Sequence, residues 1–282
     1  MGFSPVFKLS DYEKYLKFLK ENNYVVCNFK DLEDKYKDNS ELPEKIIVLR
    51  HDVHHRDINA SYKMIELEHK YFNKNVATYF VQWNFIGNSI FENNYENKCK
   101  EEYEKFIFYC IKNNIHVAPH ISVFCSSYLN LYNRNINHNN LNFLNEKYSI
   151  NFKDQNNVCI SCEKETTKDS MNELIEDVYI YFKNYKKDWK AKFKIDAEIF
   201  SAHGDGIILS KKLNPNKFGS LEKFENIMYN VNSPIKYLSS TSSYKLGYVT
   251  DNSLNKDYIN KTFYREDKIQ AQVLVHPYVW SG

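Results

Sequence analysis

The stretch "IIVLRHDVHHRDINASYKMIELEHKYF", residues 46–72, decides how this chain is read. Ile46 to Leu49 is an apolar run with nothing polar on either face, the pattern of a strand buried inside a parallel sheet. It ends abruptly in Arg50, His51, Asp52, His54, His55, Arg56 and Asp57. From Ile58 onward Ala60, Met64, Ile65, Leu67 and Tyr71 follow helical spacing. Imidazoles and carboxylates are thus crowded where a strand hands over to a helix. Open α/β sheets and barrels bind their ligands there, because the loops at the carboxyl ends of the strands converge on one crevice.

Outward from this stretch the same alternation recurs. "NVATYFVQW", residues 75–83, reads as a second apolar strand, followed by a helix over 102–112 and a strand over 116–123. A helix over 171–185, a strand over 199–203, a helix over 221–229 and a strand over 272–276 complete the pattern. On the amino-terminal side, Ser10-Asp11-Tyr12-Glu13 has the form of a capping box opening a helix. A short strand over 24–27 and a brief helix from Phe29 lead back to residue 46. Strands separated by helices of this kind build a parallel sheet with covering helices, an α/β fold. One domain over 1–282 is expected, with an amino-terminal helical segment (1–44) and an insertion at 126–168. That insertion is rich in Asn and Tyr, with a hairpin around "NFKDQNNVCISCE"; loops this long are often lids or binding loops.

Composition excludes several function classes. Hydrophobic residues are 43% and charged residues 26% of 282, an ordinary globular balance. A formal charge of +2 supplies no basic field for a phosphate backbone, so nucleic acid is not an expected partner. The opening "MGFSPVFKLSDYEKYLKF" lacks the apolar core of a signal peptide, and no run reaches the roughly 18 apolar residues a membrane span needs. A cytoplasmic protein without a membrane span is expected. The six cysteines read as reduced thiols rather than a disulfide framework, and Cys159 and Cys162 have knuckle spacing without a second pair.

Most of the nine histidines close a strand or adjoin one: His51, His54, His116, His120, His203 and His276. In "IHVAPHISVF" the strand period of two puts His116 and His120 on one face. Two imidazoles with a carboxylate make a common zinc set with one position open for water, and Asp52 and His54 would supply the rest. His203 in "FSAHGDGI" precedes two of only seven glycines, where a tight turn lets backbone approach a ligand. His276 in "VLVHPYVW" ends a strand that Pro277 stops, with Trp280 close by, and could act as a general acid near neutral pH. For each histidine alone, a hydrogen-bonded strand cap is the competing reading; together they point to one site assembled from several strand ends.

The string "LRHDVHHRDINASYKMIELEHKYFNKNVATYFVQW" resembles the first motif of the polysaccharide deacetylase (NodB homology) superfamily, in its WbmS-type intracellular branch. That motif reads R-H-D-V-D, then a helix with an Ala and a Glu, then a strand with a-T-y-F. Arg50-His51-Asp52-Val53, Ala60, Glu66 or Glu68, and Thr78-Tyr79-Phe80 match it. "IHVAPHIS" is similar to the second motif, h-E-i-G-x-H, with His120 on the ligand histidine. "SAHGD", "YVTDNS" and "LVHPYVW" resemble the later motifs, and place His203, Asp251, His276 and Trp280. The likeness runs in order over residues 46–280.

The resemblance implies a distorted seven-stranded (β/α) barrel, zinc or another divalent metal, and hydrolysis of an N-acetyl group on a sugar or nucleotide sugar in surface polysaccharide biosynthesis. It makes Asp52 the base or a ligand, His120 a ligand and His276 the acid. Arg50 would keep Asp52 ionised and, with His203, Asp251 and Trp280, would line the substrate side. Three departures stand out. His54 takes the place of the second acid, His116 and Ala118 those of the Glu and Gly, and Phe124 that of a further ligand. Either His54 and His116 join His120 as replacement ligands, or the barrel has lost its chemistry and binds a carbohydrate or a pathway partner.

Overall fold

The computed structural model describes residues 7–36, 41–54, 58–83, 93–121, 150–152, 160–162, 180, 183–197, 199–202, 246–251, 256–267 and 269–282. His203 with its glycines, Cys159 and the helix expected over 221–229 lie outside the described residues. Two compact units divide the chain: residues 1–82, 101–120 and 238–282, and residues 83–100 and 121–237.

The first unit is built around β2, Ile46–Val53, buried at every residue. Helix α1 (Leu9–Glu21), strand β1 (Val25–Cys27) and helix α2 (Phe29–Tyr36) precede it. Helix α3 (Ile58–Phe72) and strand β3 (Thr78–Val81) follow, then helix α4 (Asn93–Lys112), which enters this unit at residue 101, and strand β4 (His116–Ile121), which leaves it after residue 120. β2 pairs in parallel with the late strand β9 (Gln270–Val275) along one edge. Its other edge is shared, since β1 pairs with residues 46–48 and β3 with residues 50–53. β3 pairs in parallel with β4, and β9 with β8 (Gly247–Thr250). The α/β reading with a parallel sheet and covering helices therefore holds. The reason is the one legible in Ile46–Leu49: a strand with neighbours on both edges and cover on both faces has no place for polar residues without partners.

Register sets the two faces of this sheet. Arg50 aligns with Leu274 on one side and Thr78 on the other, Asp52 with Phe80, and Phe80 in turn with Ala118. Leu274 aligns with Thr250. Neighbouring residues in parallel register share a face, so Arg50, Asp52, Phe80, Leu274 and Thr250 look one way and His51 and Val53 the other. Helices α1 and α3 pack on the His51 side, where α3 buries Ser61, Met64, Ile65 and Glu68 at helical spacing.

Local signals were shifted at one helix start. The helix begins at Leu9, and Asp11 reaches back to accept the Lys8 backbone N–H at 3.1 Å, the role expected of Glu13. Glu13 instead faces α3 and accepts from Lys70 Nζ at 2.7 Å. Asn28 caps α2 by accepting the Asp31 N–H at 2.8 Å. After β8 come a helix over Lys256–Phe263 and, beyond β9, a single 3-10 turn over Pro277–Trp280.

In the second unit, β5 (Ile150–Phe152) and β6 (Ile160–Cys162) pair antiparallel, as the hairpin expected inside the insertion, and the short strand β7 (Ser201–Ala202) follows. A helix over 183–193 packs Tyr185, Trp189 and Phe193 on Trp83, whose carbonyl accepts from Tyr185 Oη at 2.8 Å. Among the described residues no helix is long and apolar enough to cross a membrane.

Candidate functional site

The carboxyl ends of β2, β4, β8 and β9 carry the polar groups. Arg50 and Asp52, two residues apart on one face of β2, form a buried bidentate pair: Nε donates to Oδ1 at 2.9 Å and Nη2 to Oδ2 at 2.6 Å. The guanidinium lies 5.1 Å from the centre of the Phe80 ring. Burial alone would raise the Asp52 pKa, but the charge of Arg50, then that of His120, outweighs it and holds the carboxyl well below the usual range. Asp52 is ionised at any physiological pH and is a weak base.

His120 closes β4 with Nε2 3.6 Å from Asp52 Oδ2, too long for a hydrogen bond. The His54 ring stacks on that of His120 at 5.5 Å and meets the His276 ring edge-on at 5.6 Å. Tyr278, half-buried, lies 6.4 Å from His54 and 5.9 Å from His276, ring centre to ring centre.

Asp251, just past β8, is completely buried and accepts three N–H groups. His276 Nδ1 approaches Oδ1 at 2.6 Å, while the His276 backbone N–H and Trp280 Nε1 donate to Oδ2 at 2.8 and 2.9 Å. An acceptor opposite Nδ1 fixes the ring proton there and leaves proton exchange to Nε2. The pair forms because β8 and β9 are parallel neighbours and end together, and because Pro277 turns the chain so that Trp280 comes back over Asp251. Trp280 has no exposed surface, so it acts on Asp251 from behind; the aromatic ring beside the histidines is Tyr278.

The structure therefore gathers Arg50, Asp52, His54, His120, Asp251 and His276, and it leaves His116 apart. His116 opens β4 four residues before His120, about 13 Å away along a strand rising about 3.3 Å per residue. Its Nδ1 is 2.8 Å from Thr78 Oγ1, which also accepts the Phe29 N–H at 3.0 Å. Burial, then the nearby Lys30, lowers its pKa to about 4. A shared strand face was the sequence argument for grouping the two histidines, but period says nothing of distance along the strand.

Behind the site, on the other face of β2, stands a cluster of Tyr12, His51, Glu68 and Tyr79, the last three within the first motif but given no role there. Glu68 Oε1 accepts from Tyr12 Oη at 2.7 Å and Tyr79 Oη at 2.9 Å, and lies 2.7 Å from His51 Nε2. His51 stacks on Tyr79 at 4.6 Å. Burial, then the Glu68 charge, pushes both phenols well above their usual pKa. The available signal was Glu68 itself, a carboxylate at helical spacing from Ser61, Met64 and Ile65 on the apolar face of α3.

No protein-family profile, curated protein or solved structure matches this chain.

Among the described residues no group of three or more His, Cys, Asp or Glu side chains is arranged to hold a metal ion. Two donors nevertheless suit one. Two ligands on a tetrahedral zinc with bonds of about 2.0–2.1 Å stand about 3.3–3.4 Å apart. Asp52 Oδ2 and His120 Nε2, at 3.6 Å, are close to that spacing, and His54 is stacked on the second of them. The Arg50 clamp leaves lone pairs on both Asp52 oxygens, since a carboxylate has about four acceptor positions.

Proposed function

We propose that the chain is a metal-dependent hydrolase removing the N-acetyl group of an amino sugar, presented as a sugar or nucleotide sugar in surface polysaccharide biosynthesis. This is the reaction its resemblance to the polysaccharide deacetylases implies, with the parallel sheet closing as a distorted seven-stranded barrel. The observation that carries the reading is the meeting of two pairs at neighbouring strand ends. One is an ionised carboxylate beside an imidazole, Asp52 with His120. The other is an imidazole with a fixed tautomer, His276 on Asp251.

In this reading Asp52, His120 and His54 would hold a divalent ion, zinc fitting the nitrogen-rich set best. Such an ion polarises a carbonyl and acidifies bound water. A carboxylate held far below neutrality is an inefficient general base, because the best proton acceptors titrate near the working pH. Asp52 is thus assigned to the metal face, with Arg50 keeping it charged. His276 is assigned the proton: Asp251 holds Nδ1–H, and Nε2 takes a proton from water and returns one to the leaving amine. Tyr278 supplies the aromatic face a sugar ring stacks on.

Acetate release is the test, measured over N-acetylated amino sugars and their nucleotide conjugates with zinc present. His276→Ala and Asp52→Asn should each lower turnover by about 10² to 10⁴. If no compound releases acetate while some bind, and bind equally to Asp52→Asn, the chain is a carbohydrate-binding barrel and the hydrolase reading fails.

A further inference from the structure

Asp251 holds His276 and Trp280 holds Asp251; of the rings that pack on Trp280, Phe263 comes from the helix before β9, and Phe7 and Tyr12 come from the amino-terminal segment, outside the stretch that resembles the deacetylase motifs. Phe7, buried, stacks on the Trp280 indole with ring centres 4.5 Å apart and planes 20° from parallel. Tyr12 meets the same indole edge-on at 5.9 Å, and Phe263 lies against it at 5.7 Å. Backbone bonds set the position of Phe7: its N–H donates to the Val279 carbonyl at 2.8 Å, and its own carbonyl accepts the Gly282 N–H at 3.0 Å. Tyr12 is anchored in turn through Glu68, at 2.7 Å.

Trp280 needs such support. It ends a 3-10 turn of four residues, and a single turn of that kind has weak hydrogen bonds of its own. Its indole N–H must stay in line with Asp251 Oδ2, at 2.9 Å, for the carboxylate to keep its other oxygen on His276 Nδ1 at 2.6 Å. Phe7 and Tyr12 cover the ring and bar the rotations that would break that alignment.

We propose that the segment entering α1 is a clamp on the proton-carrying pair, and that Phe7 is a positioning residue for His276, acting through Trp280 and Asp251. This rests on the role given to His276 above. Phe7 acts on the orientation of the imidazole, through Trp280 and Asp251, and not on substrate binding.

The test compares the full chain with Phe7→Ala and Phe7→Leu. Selective nitrogen labelling follows the Trp280 indole N–H, identified by its loss in Trp280→Phe, and the nitrogen shifts of the His276 ring. In Phe7→Ala the indole N–H should exchange with water about three- to tenfold faster, the factor an aromatic contact is worth. The His276 signature of a proton on Nδ1 should weaken, and kcat on an N-acetylated sugar should fall by a similar factor with KM unchanged. Phe7→Leu, which keeps the indole covered, should restore most of each effect; if Phe7→Ala does not fold, Phe7→Val, which uncovers part of the ring, takes its place and should show the same changes at a smaller size, wild-type values in it overturning the clamp. Wild-type indole exchange and an unchanged His276 tautomer in folded Phe7→Ala overturn the clamp. If those two signals shift as expected but the wild-type chain hydrolyses nothing, the clamp stands and the hydrolase reading is what fails.

Discussion

Arg50→Leu removes the guanidinium from a carboxylate that has almost no contact with water, the side chains of Arg50 and Asp52 being 7% and 5% exposed. Solvent screening does not soften the loss at that depth. Stripping one partner from a buried pair leaves an uncompensated charge and costs about 3–5 kcal/mol. The two hydrogen bonds of 2.9 and 2.6 Å place this pair toward the upper part of that range, and His120 at 3.6 Å offsets some of it when protonated. The pH dependence should also change direction. In the wild-type chain the Asp52 pKa is depressed, so its contribution is complete above the unfolded aspartate value of about 3.9 and is lost as pH falls below it. Without Arg50, burial dominates and raises the pKa, so stability should instead decline as pH rises through the carboxylate range. Urea unfolding at a series of pH values between about 3 and 8 measures both effects, and Arg50→Leu/Asp52→Leu should recover most of the loss because the orphaned charge is gone. A cost below about 1 kcal/mol, or an unchanged pH slope, would refute the reasoning.

Further outcomes follow from the same geometry. Zinc content after dialysis should fall in His120→Ala and stay at the wild-type level in His116→Ala, since His116 sits with Thr78. The depressed His116 pKa predicts that stability falls as pH drops from about 6.5 toward 4, where the unfolded chain takes up a proton and the folded chain does not. His116→Phe should flatten that part of a melting-temperature profile, by an amount solvent trims because the ring is only part-buried. Glu68→Leu takes the acceptor from the Tyr79 phenol, at about 1–3 kcal/mol for the orphaned group, while the Tyr12 phenol keeps His51 Nε2 at 3.2 Å; Tyr79→Phe removes one donor and should cost about 1.5–3 kcal/mol in urea unfolding. Tyr278→Ala should raise KM for a sugar substrate more than it lowers kcat, and Tyr278→Phe should leave both close to wild type.

The layered α/β architecture was legible from residues 46–72 because burial on both faces of a parallel strand and on one side of a helix leaves opposite hydropathy periods in a single sequence. The location of the site was legible for a related reason. Arg50, Asp52, His54, His120 and His276 are polar groups at the carboxyl ends of apolar runs, and in a parallel sheet those ends lie together. Pairing among them was decided by the tertiary structure. Asp251 and His276 meet because β8 and β9 are neighbours, and Glu68 meets Tyr12 and Tyr79 because α1 and α3 cover one face of β2; neither adjacency has a local signature. His116 and His120 share a strand face in the sequence, but the rise of the strand separates them, and Thr78 in register across β3 takes up His116. Trp280 reads as a ring near the site, yet the Pro277 turn and the Phe7 stack bury it and make it a support for Asp251. Residue type and period report which face a side chain occupies, and distance along the strand and choice of partner arise only when separate segments are brought into register.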